Sequence, residues 1–391
     1  MKKKVCVFTG TRAEYGILSS LMRGIDEHPD MELQIVATNM HLSPEYGLTI
    51  NEIRRDGFKV DKCVEMLLSS DTPTGTAKSV GLGIIGFADA LAELQPDLVL
   101  ILGDRYEMLG VAQTATLFNI PIAHLHGGEI TEGAYDDCIR HAITKLSHLH
   151  FTSTEEYRRR VIQMGENPER VFNVGALGVD NILNTKLLSV EELSSQIGFD
   201  FSGDYLMCTF HPTTTEPGEA ERQTDALLNV LKEMLSDIKV VITLPNSDSE
   251  GRLIAEKMRQ FADANKDRVL AVQSMGRVRY YSAVAGSKGV IGNSSSGLIE
   301  APSLGVPTLN IGNRQKGRAR GLTVIDCECN EGAIRQGIKL LLSPFGQSLH
   351  SDTQNPNPYA ASSGESTLKS ILSVLASTDF TSLVPKAFHD L

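Results

Sequence analysis

At 391 residues the chain is too long for one ordinary core, so two domains are expected, and its 41% hydrophobic and 22% charged content is that of a folded globular protein. A formal net charge of −11 argues against a general nucleic-acid or anionic-membrane surface, so a phosphate ligand must be met by a local basic cluster. The six cysteines are scattered, with no C-x-x-C pair and no His-Cys grouping at zinc spacing, which points to a reducing compartment and no structural metal.

The opening M-K-K-K-V-C-V-F-T-G-T-R has the lysines of an export signal, but its apolar run covers only Val5 to Phe8 before Arg12 and Glu14 intervene. It reads as a first strand. No segment approaches the roughly 20 apolar residues that span a bilayer, and a cytoplasmic location is expected. Apolar runs at Val5–Phe8, Leu33–Ala37, Leu98–Leu102, Ile120–Leu125 and His150–Thr152 alternate with amphipathic stretches. This is the βαβ rhythm of a doubly wound parallel sheet, in which ligands sit at the carboxyl ends of strands.

Polar outliers fall at those ends. Arg12, in T-G-T-R-A-E-Y-G, lacks the G-K-[ST] and G-x-G-x-x-G contexts, so neither ATP hydrolysis nor NAD binding is indicated. Its planar fork suits phosphate oxygens, and pairing with Glu14 or another helix-surface carboxylate is the plain alternative. Asp104, after L-V-L-I-L-G, either caps a helix starting near Tyr106 or is an acid/base group tuned by burial and the adjacent Arg105. His124, His126, Glu129, Asp136, Asp137 and His141 then crowd into eighteen positions. His124 lies inside an apolar run and reads as core or as support for a site, whereas His126 stands one step past the strand and suits proton transfer. Asp136 with Arg140 and Asp137 with His141 also form i,i+4 pairs near a helix start. Arg158, Arg159 and Arg160 read as a helix surface.

The rhythm restarts after Val174-Gly175 and a linking helix near Val179–Lys186, with strands at Leu206–Phe210, Val240–Leu244, Val269–Val272, Gly289–Ile291, Thr308–Ile311 and Thr323–Ile325. The expected domains are residues 1–175, carrying the acid/base groups, and 176–364. A tail, 365–391, follows, with a helix at Glu365–Ala376 that packs back on the first domain. Ser351–Gly364 reads as a loop. His211 in F-H-P-T-T-T and Asn246 in L-P-N stand at strand ends, and Met275 lies in a loop whose backbone suits a base edge. In V-I-G-N-S-S-S-G-L-I-E a strand breaks into a Gly/Ser turn and opens a helix. There the helix N-terminus and Ser294, Ser295 and Ser296 can receive a diphosphate, Gly292 and Gly297 keep the turn bare, and Glu300 can accept from ribose hydroxyls. A serine-capped turn without function is the alternative. Arg314, Lys316, Arg318 and Arg320 form a basic run over such a diphosphate, with Arg318 and Arg320 otherwise solvated loop charges.

Taken together, T-G-T-R-A-E-Y-G, G-D-R-Y-E, H-G-G-E, Y-D-D-C-I-R-H-A-I-T-K-L, T-S-T-E-E-Y, H-P-T-T-T, G-N-S-S-S-G and R-Q-K-G-R resemble the hydrolysing UDP-N-acetylglucosamine 2-epimerases of sialic-acid biosynthesis over nearly the whole chain. The resemblance implies an α/β fold of two Rossmann-like doubly wound domains facing a central cleft, like the GT-B glycosyltransferases. UDP contacts would be Arg12, Gly16, Arg105, His211, Asn246, Met275, Ser294, Ser295, Glu300 and Arg314. Acid/base positions would be Asp104, His126 and Asp136, with Glu129 nearby and His211 also counted in the catalytic set. Several family members have Glu where this chain has His126. The expected reaction eliminates UDP to a 2-acetamidoglucal and hydrates it to N-acetylmannosamine, with no metal or cofactor. Only a small-molecule substrate is expected as partner, without nucleic acid or membrane, in a homo-oligomer joined through the first domain. No sialic-acid nucleotide feedback site is evident around Gln273 and Ser274. Alternatives are a hydrolysing epimerase for a UDP-2,4-diacetamido sugar, a non-hydrolysing epimerase, a GT-B glycosyltransferase and a non-catalytic nucleotide-sugar binder.

Overall fold

A computed structural model describes residues 2–68, 70, 72–246, 248, 250–349, 357–361 and 364–390. Of the loop expected at Ser351–Gly364, residues 351–356 and 362–363 lie outside the described residues. The chain divides into two compact units, one of residues 1–129, 136–181 and 359–391, the other of residues 130–135 and 182–358. The fold is α/β, with one parallel sheet in each unit.

The first unit holds strands β1 (Lys3–Thr9), β2 (Met31–Thr38), β3 (Lys62–Val64), β4 (Leu98–Leu102), β5 (Ile122–Leu125), β6 (Leu149–Thr152) and β7 (Val171–Asn173). Their order is β3-β2-β1-β4-β5-β6-β7. All five residues of β4 are buried, because helices cover both faces of a parallel sheet and the strand must be apolar on both. Leu18, Leu21, Leu100 and Leu375 pack on one face. Phe8, Phe87, Ile101 and Val111 pack on the other. The helix Thr367–Ser377 lies against the helix Arg12–Asp26, where Gly24 leaves room for Leu368 and Leu372. Chain order reverses between β1 and β4, so the turns at Gly10–Arg12 and Gly103–Arg105 flank the switch point where such sheets hold ligands.

The second unit holds β8 (Tyr205–Thr209), β9 (Lys239–Thr243), β10 (Val269–Val272), β11 (Gly289–Gly292), β12 (Thr308–Ile311) and β13 (Val324–Cys327), ordered β10-β9-β8-β11-β12-β13. Leu206, Ile242 and Leu309 face one core layer. Met207, Val241 and Val290 face the other. Its switch point lies between β8 and β11, where Gly292 pairs with Thr209, and this places His211 and the Asn293–Ser296 turn side by side.

One buried charge cluster ties the tail into the first unit. Glu166, whose side chain is 4% exposed, receives Lys145 at 2.6 Å, His150 at 3.0 Å and Lys386 at 2.8 Å. Burial alone would push the Glu166 carboxyl up, but the hydrogen bonds from His150, Lys145 and Lys386 outweigh it and bring the group down to about 2. A depressed carboxyl contributes stability above its unfolded value, near 4.5, and loses it as pH falls toward 2. Glu166→Gln is therefore expected to cost about 3 kcal/mol at pH 7, because it removes the buried carboxylate charge that holds His150, Lys145 and Lys386 together. In urea melts the gap from the parent protein should close as pH is lowered from 4.5 to 2. A gap that stays constant across that range would mean the carboxylate charge is not the source.

Candidate active site

In the first unit the backbone after β4 is shaped before any side chain reaches a ligand. Gly103 has φ +75°, open to glycine without strain. His124 Nε2 lies 2.7 Å from the Gly103 carbonyl and Nδ1 3.1 Å from Thr144 Oγ1. A carbonyl only accepts, so Nε2 carries the hydrogen and Nδ1 accepts from the threonine. Burial lowers the His124 pKa to about 3, so the ring stays neutral and serves as a brace for the Gly103-Asp104 turn.

Asp104 does not cap the following helix, whose N-cap is Arg105. Its carboxylate instead forms an ion pair with Arg140. The Arg140 side chain is 1% exposed and that of Asp104 23%, so the cation is a buried clamp while the acid stays partly open to solvent. Arg140 also donates to the Glu129 carbonyl at 2.8 Å and to Asp137 at 3.3 Å. One guanidinium thus gathers residues from three segments, using the fan of donors that Arg alone has. His141 stands 3.5 Å from Asp137, as their spacing predicts, and burial lowers its pKa.

His126 adopts φ +65°, a left-handed conformation that costs energy for a residue with a side chain. Its Nδ1 lies 2.8 Å from Glu129 Oε1, which also accepts from the Ser153 hydroxyl at 2.8 Å. With the carboxylate accepting, Nδ1 holds a hydrogen and Nε2 is the nitrogen left facing away from Glu129. That Nε2 is buried and has no hydrogen-bond partner among the described residues. Asp136 begins the helix Asp136–Leu146, one turn before Arg140.

On the other side of the switch point Arg12 is the first residue of the helix Arg12–Asp26, whose N-cap Thr11 and Glu14 form a capping box. Glu14 accepts from the Gly10 and Thr11 amides at 2.9 Å. Burial and then the Glu107 charge push its carboxyl up to about 8, against the pull of Arg105. Arg105 meets Glu107 at 2.9 Å. A Cβ on Gly16 would meet nothing within 4 Å. Arg160 departs from the surface role expected of it, since besides Glu156 it reaches the Gly128 carbonyl at 2.5 Å.

In the second unit the His211 amide donates to Asn293 Oδ1 at 2.7 Å, and Asn293 Nδ2 returns a bond to the His211 carbonyl at 2.8 Å. This reciprocal pair locks the turns after β8 and β11 together. The Asn293 carbonyl accepts from Arg314 at 3.1 Å and Gln315 at 2.8 Å, which carries the basic loop to the serine turn. Arg314 Nε is buried without a hydrogen-bond partner among the described residues. Gly292 has φ +124°, and a Cβ there would collide with the Thr209 carbonyl. Tyr280 donates to Ser296 Oγ at 2.8 Å. Asn246 stands half-buried after β9, and Met275 after β10 is fully buried.

Two expectations need correction. The helix opening at Ser296 is a single turn, Ser296–Ile299, ending at Glu300 and followed by a 3-10 turn, Ala301–Leu304. Pro302 supplies no amide and disfavours helical backbone at Ala301, so the dipole of a long helix is not available and the amides and hydroxyls of the turn must serve. Arg318 is not a solvated loop charge. It is 8% exposed and packs beside Thr131, while Arg320 pairs with Asp326.

Arg140, Ser153, Glu107, Asn293 and Tyr280 escaped the sequence reading as site residues. Only Arg140 had a local signal, its i,i+4 spacing from Asp136, and the structure places it 3.3 Å from the neighbouring Asp137. Among the described residues no group of three or more His, Cys, Asp or Glu is placed to hold a metal ion. No described helix is long and apolar enough to cross a membrane.

A family profile described as UDP-N-acetylglucosamine 2-epimerase matches residues 23–375. A Campylobacter jejuni protein named GDP/UDP-N,N'-diacetylbacillosamine 2-epimerase (hydrolyzing) is 41% identical over 330 residues, covering 84% of this chain and 85% of that one. The Escherichia coli polysialic acid biosynthesis protein P7 is 40% identical over 354 residues, 90% of each. The UDP-GlcNAc 2-epimerase of Methanocaldococcus jannaschii, solved with UDP-GlcNAc and UDP, superimposes with a TM-score of 0.78 at 17% identity, over 96% of this chain and 100% of that one, and so shares the fold. The chain belongs to the UDP-N-acetylglucosamine 2-epimerase family and is an enzyme among its hydrolysing members.

Proposed function

We propose that the protein converts a UDP-2-acetamido sugar, UDP-N-acetylglucosamine in the first instance, into free UDP and the 2-epimeric sugar, N-acetylmannosamine. The observation that carries this reading is the poised His126, with Nδ1 held by Glu129 and Nε2 unused, in a unit whose other strand-end acid, Asp104, is clamped by Arg140. Two differently held proton-transfer groups are what a 2-epimerisation through a glycal demands.

The carbon-2 hydrogen has no neighbouring carbonyl to acidify it, so cleavage of the bond from carbon 1 to the UDP oxygen leads. Positive charge spreading onto the ring then makes that hydrogen removable. Arg12, Arg105, Arg314, Ser294 and Ser295 serve the departing diphosphate, and Glu300 the ribose, with Gly16, His211, Asn246 and the Met275 backbone completing the nucleotide contacts. Loss of the proton gives 2-acetamidoglucal. Water adds at carbon 1 and a proton returns to carbon 2 from the opposite face. The sum is UDP-N-acetylglucosamine plus water giving N-acetylmannosamine plus UDP. Asp104, His126 and Asp136 are the proton carriers, and Glu129 fixes the histidine tautomer.

A second reading has one specific support, the 41% identical relative named for a diacetylbacillosamine substrate. There the chemistry is the same and the sugar has a second acetamido group. Incubation in D2O with UDP-N-acetylglucosamine, and in parallel with the UDP-2,4-diacetamido sugar, tests both. The main reading expects free UDP and N-acetylmannosamine carrying one deuterium at carbon 2. Turnover of the diacetamido substrate alone would transfer the assignment to it. Release of UDP-N-acetylmannosamine, or no turnover of either, would refute hydrolysing epimerisation.

A further inference from the structure

Six residues separate Glu129 from Asp136, and they do not fold with the unit that holds those two acids. Ile130–Tyr135 belongs to the second unit. There it lies along the loop of Arg314. The Glu132 amide donates to the Lys316 carbonyl at 3.0 Å, and Lys316 Nζ meets Glu132 Oε2 at 3.0 Å. Gly133 is in backbone contact with the loop, since a Cβ there would stand 2.5 Å from Arg314 Cα and closer still to the Asn313 carbonyl oxygen. Ile130 packs the same way on Gly317, which has φ +85°. At the far end the Tyr135 amide donates to Thr214 Oγ1 at 3.1 Å, three residues after His211. The strap is therefore anchored at both ends to the two loops that carry Arg314 and His211, and these loops are tied to each other through Asn293.

We propose that this strap couples occupancy of the phosphate site to the proton-transfer site, with Gly133 as its positioning residue. A diphosphate held by Arg314 fixes the 313–318 loop. Through the Gly133 contact and the Glu132 amide it fixes the strap, and the chain on either side of the strap is Glu129, which sets the His126 tautomer, and Asp136. An enzyme whose chemistry begins by expelling UDP gains from such a link, because its acids are ordered only while the nucleotide is bound. The inference rests on the nucleotide reading above.

Amide hydrogen exchange with UDP alone tests it. The expected result is that saturating UDP slows exchange at least fivefold in 292–300 and also in 130–137. In Gly133→Ala the added Cβ must displace backbone, so UDP should still protect 292–300 but no longer 130–137, with kcat down at least tenfold. If that variant does not fold, Thr214→Ala, which only removes the acceptor for the Tyr135 amide, is expected to give the same split. Protection of 292–300 with 130–137 unchanged, or unchanged kcat in the folded variants, overturns the coupling and leaves the nucleotide reading standing. Protection of neither segment removes the nucleotide reading and the coupling with it.

Discussion

Asp104→Asn is expected to lower kcat at least tenfold while UDP still binds with an affinity close to that of the parent protein. A tenfold loss corresponds to about 1.4 kcal/mol of barrier, and removal of a general acid or base commonly costs more than that. Asparagine keeps the size of the side chain and can still accept from Arg140, so the clamp and the Gly103 turn persist. What it cannot do is take up and release a proton near neutral pH. The exposures support this division of labour, because Arg140 is sealed at 1% and Asp104 is open at 23%. A purely structural Asp104 would leave turnover near the parent value once the geometry is conserved. UDP release in steady state gives kcat, calorimetry with UDP gives affinity, and unchanged turnover would take Asp104 out of the catalytic set.

Asp104 was legible in the sequence because it breaks an apolar run. L-V-L-I-L must be buried on both faces, so the first charged residue after it marks the strand's mouth, and β4 and β12 match the sequence reading to the residue for this reason. β3 and β7 escaped it, being three-residue edge strands whose K-C-V and V-F-N give periodicity nothing to act on. The strand-end acids and His126 were visible one by one. Their organiser was not. Arg140 meets Asp104 and Glu129 across 36 and 11 positions, and such pairings are decided by how helices settle on the sheet. The same holds for Ile130–Tyr135, whose I-T-E-G-A-Y has no helical or strand periodicity and does not say which unit it folds with. Arg318 shows the opposite failure. Arg318 and Arg320 read as solvated loop charges, yet burial beside Thr131 takes Arg318 out of water.

Arg140→Met should be the most damaging single change in the first unit, costing about 3 to 5 kcal/mol of stability in urea melts and at least tenfold in kcat. Methionine roughly fills the space of the Arg140 stem, so packing is largely kept and the loss is electrostatic. The change strips one cation from contact with Asp104 and Asp137 and withdraws a donor from the Glu129 carbonyl, and breaking a buried ion pair from one side costs about this much. Arg140→Lys separates charge from geometry. It keeps the cation, but a single ammonium cannot serve three partners in one plane, so about half of the stability should return while kcat stays low. Combining Arg140→Met with Asp104→Asn gives the decisive comparison. Two residues acting through one contact should lose less together than the sum of their separate losses. Additive losses would mean that Arg140 supports the fold independently of Asp104, and the clamp would then be a packing feature rather than part of the reaction's machinery.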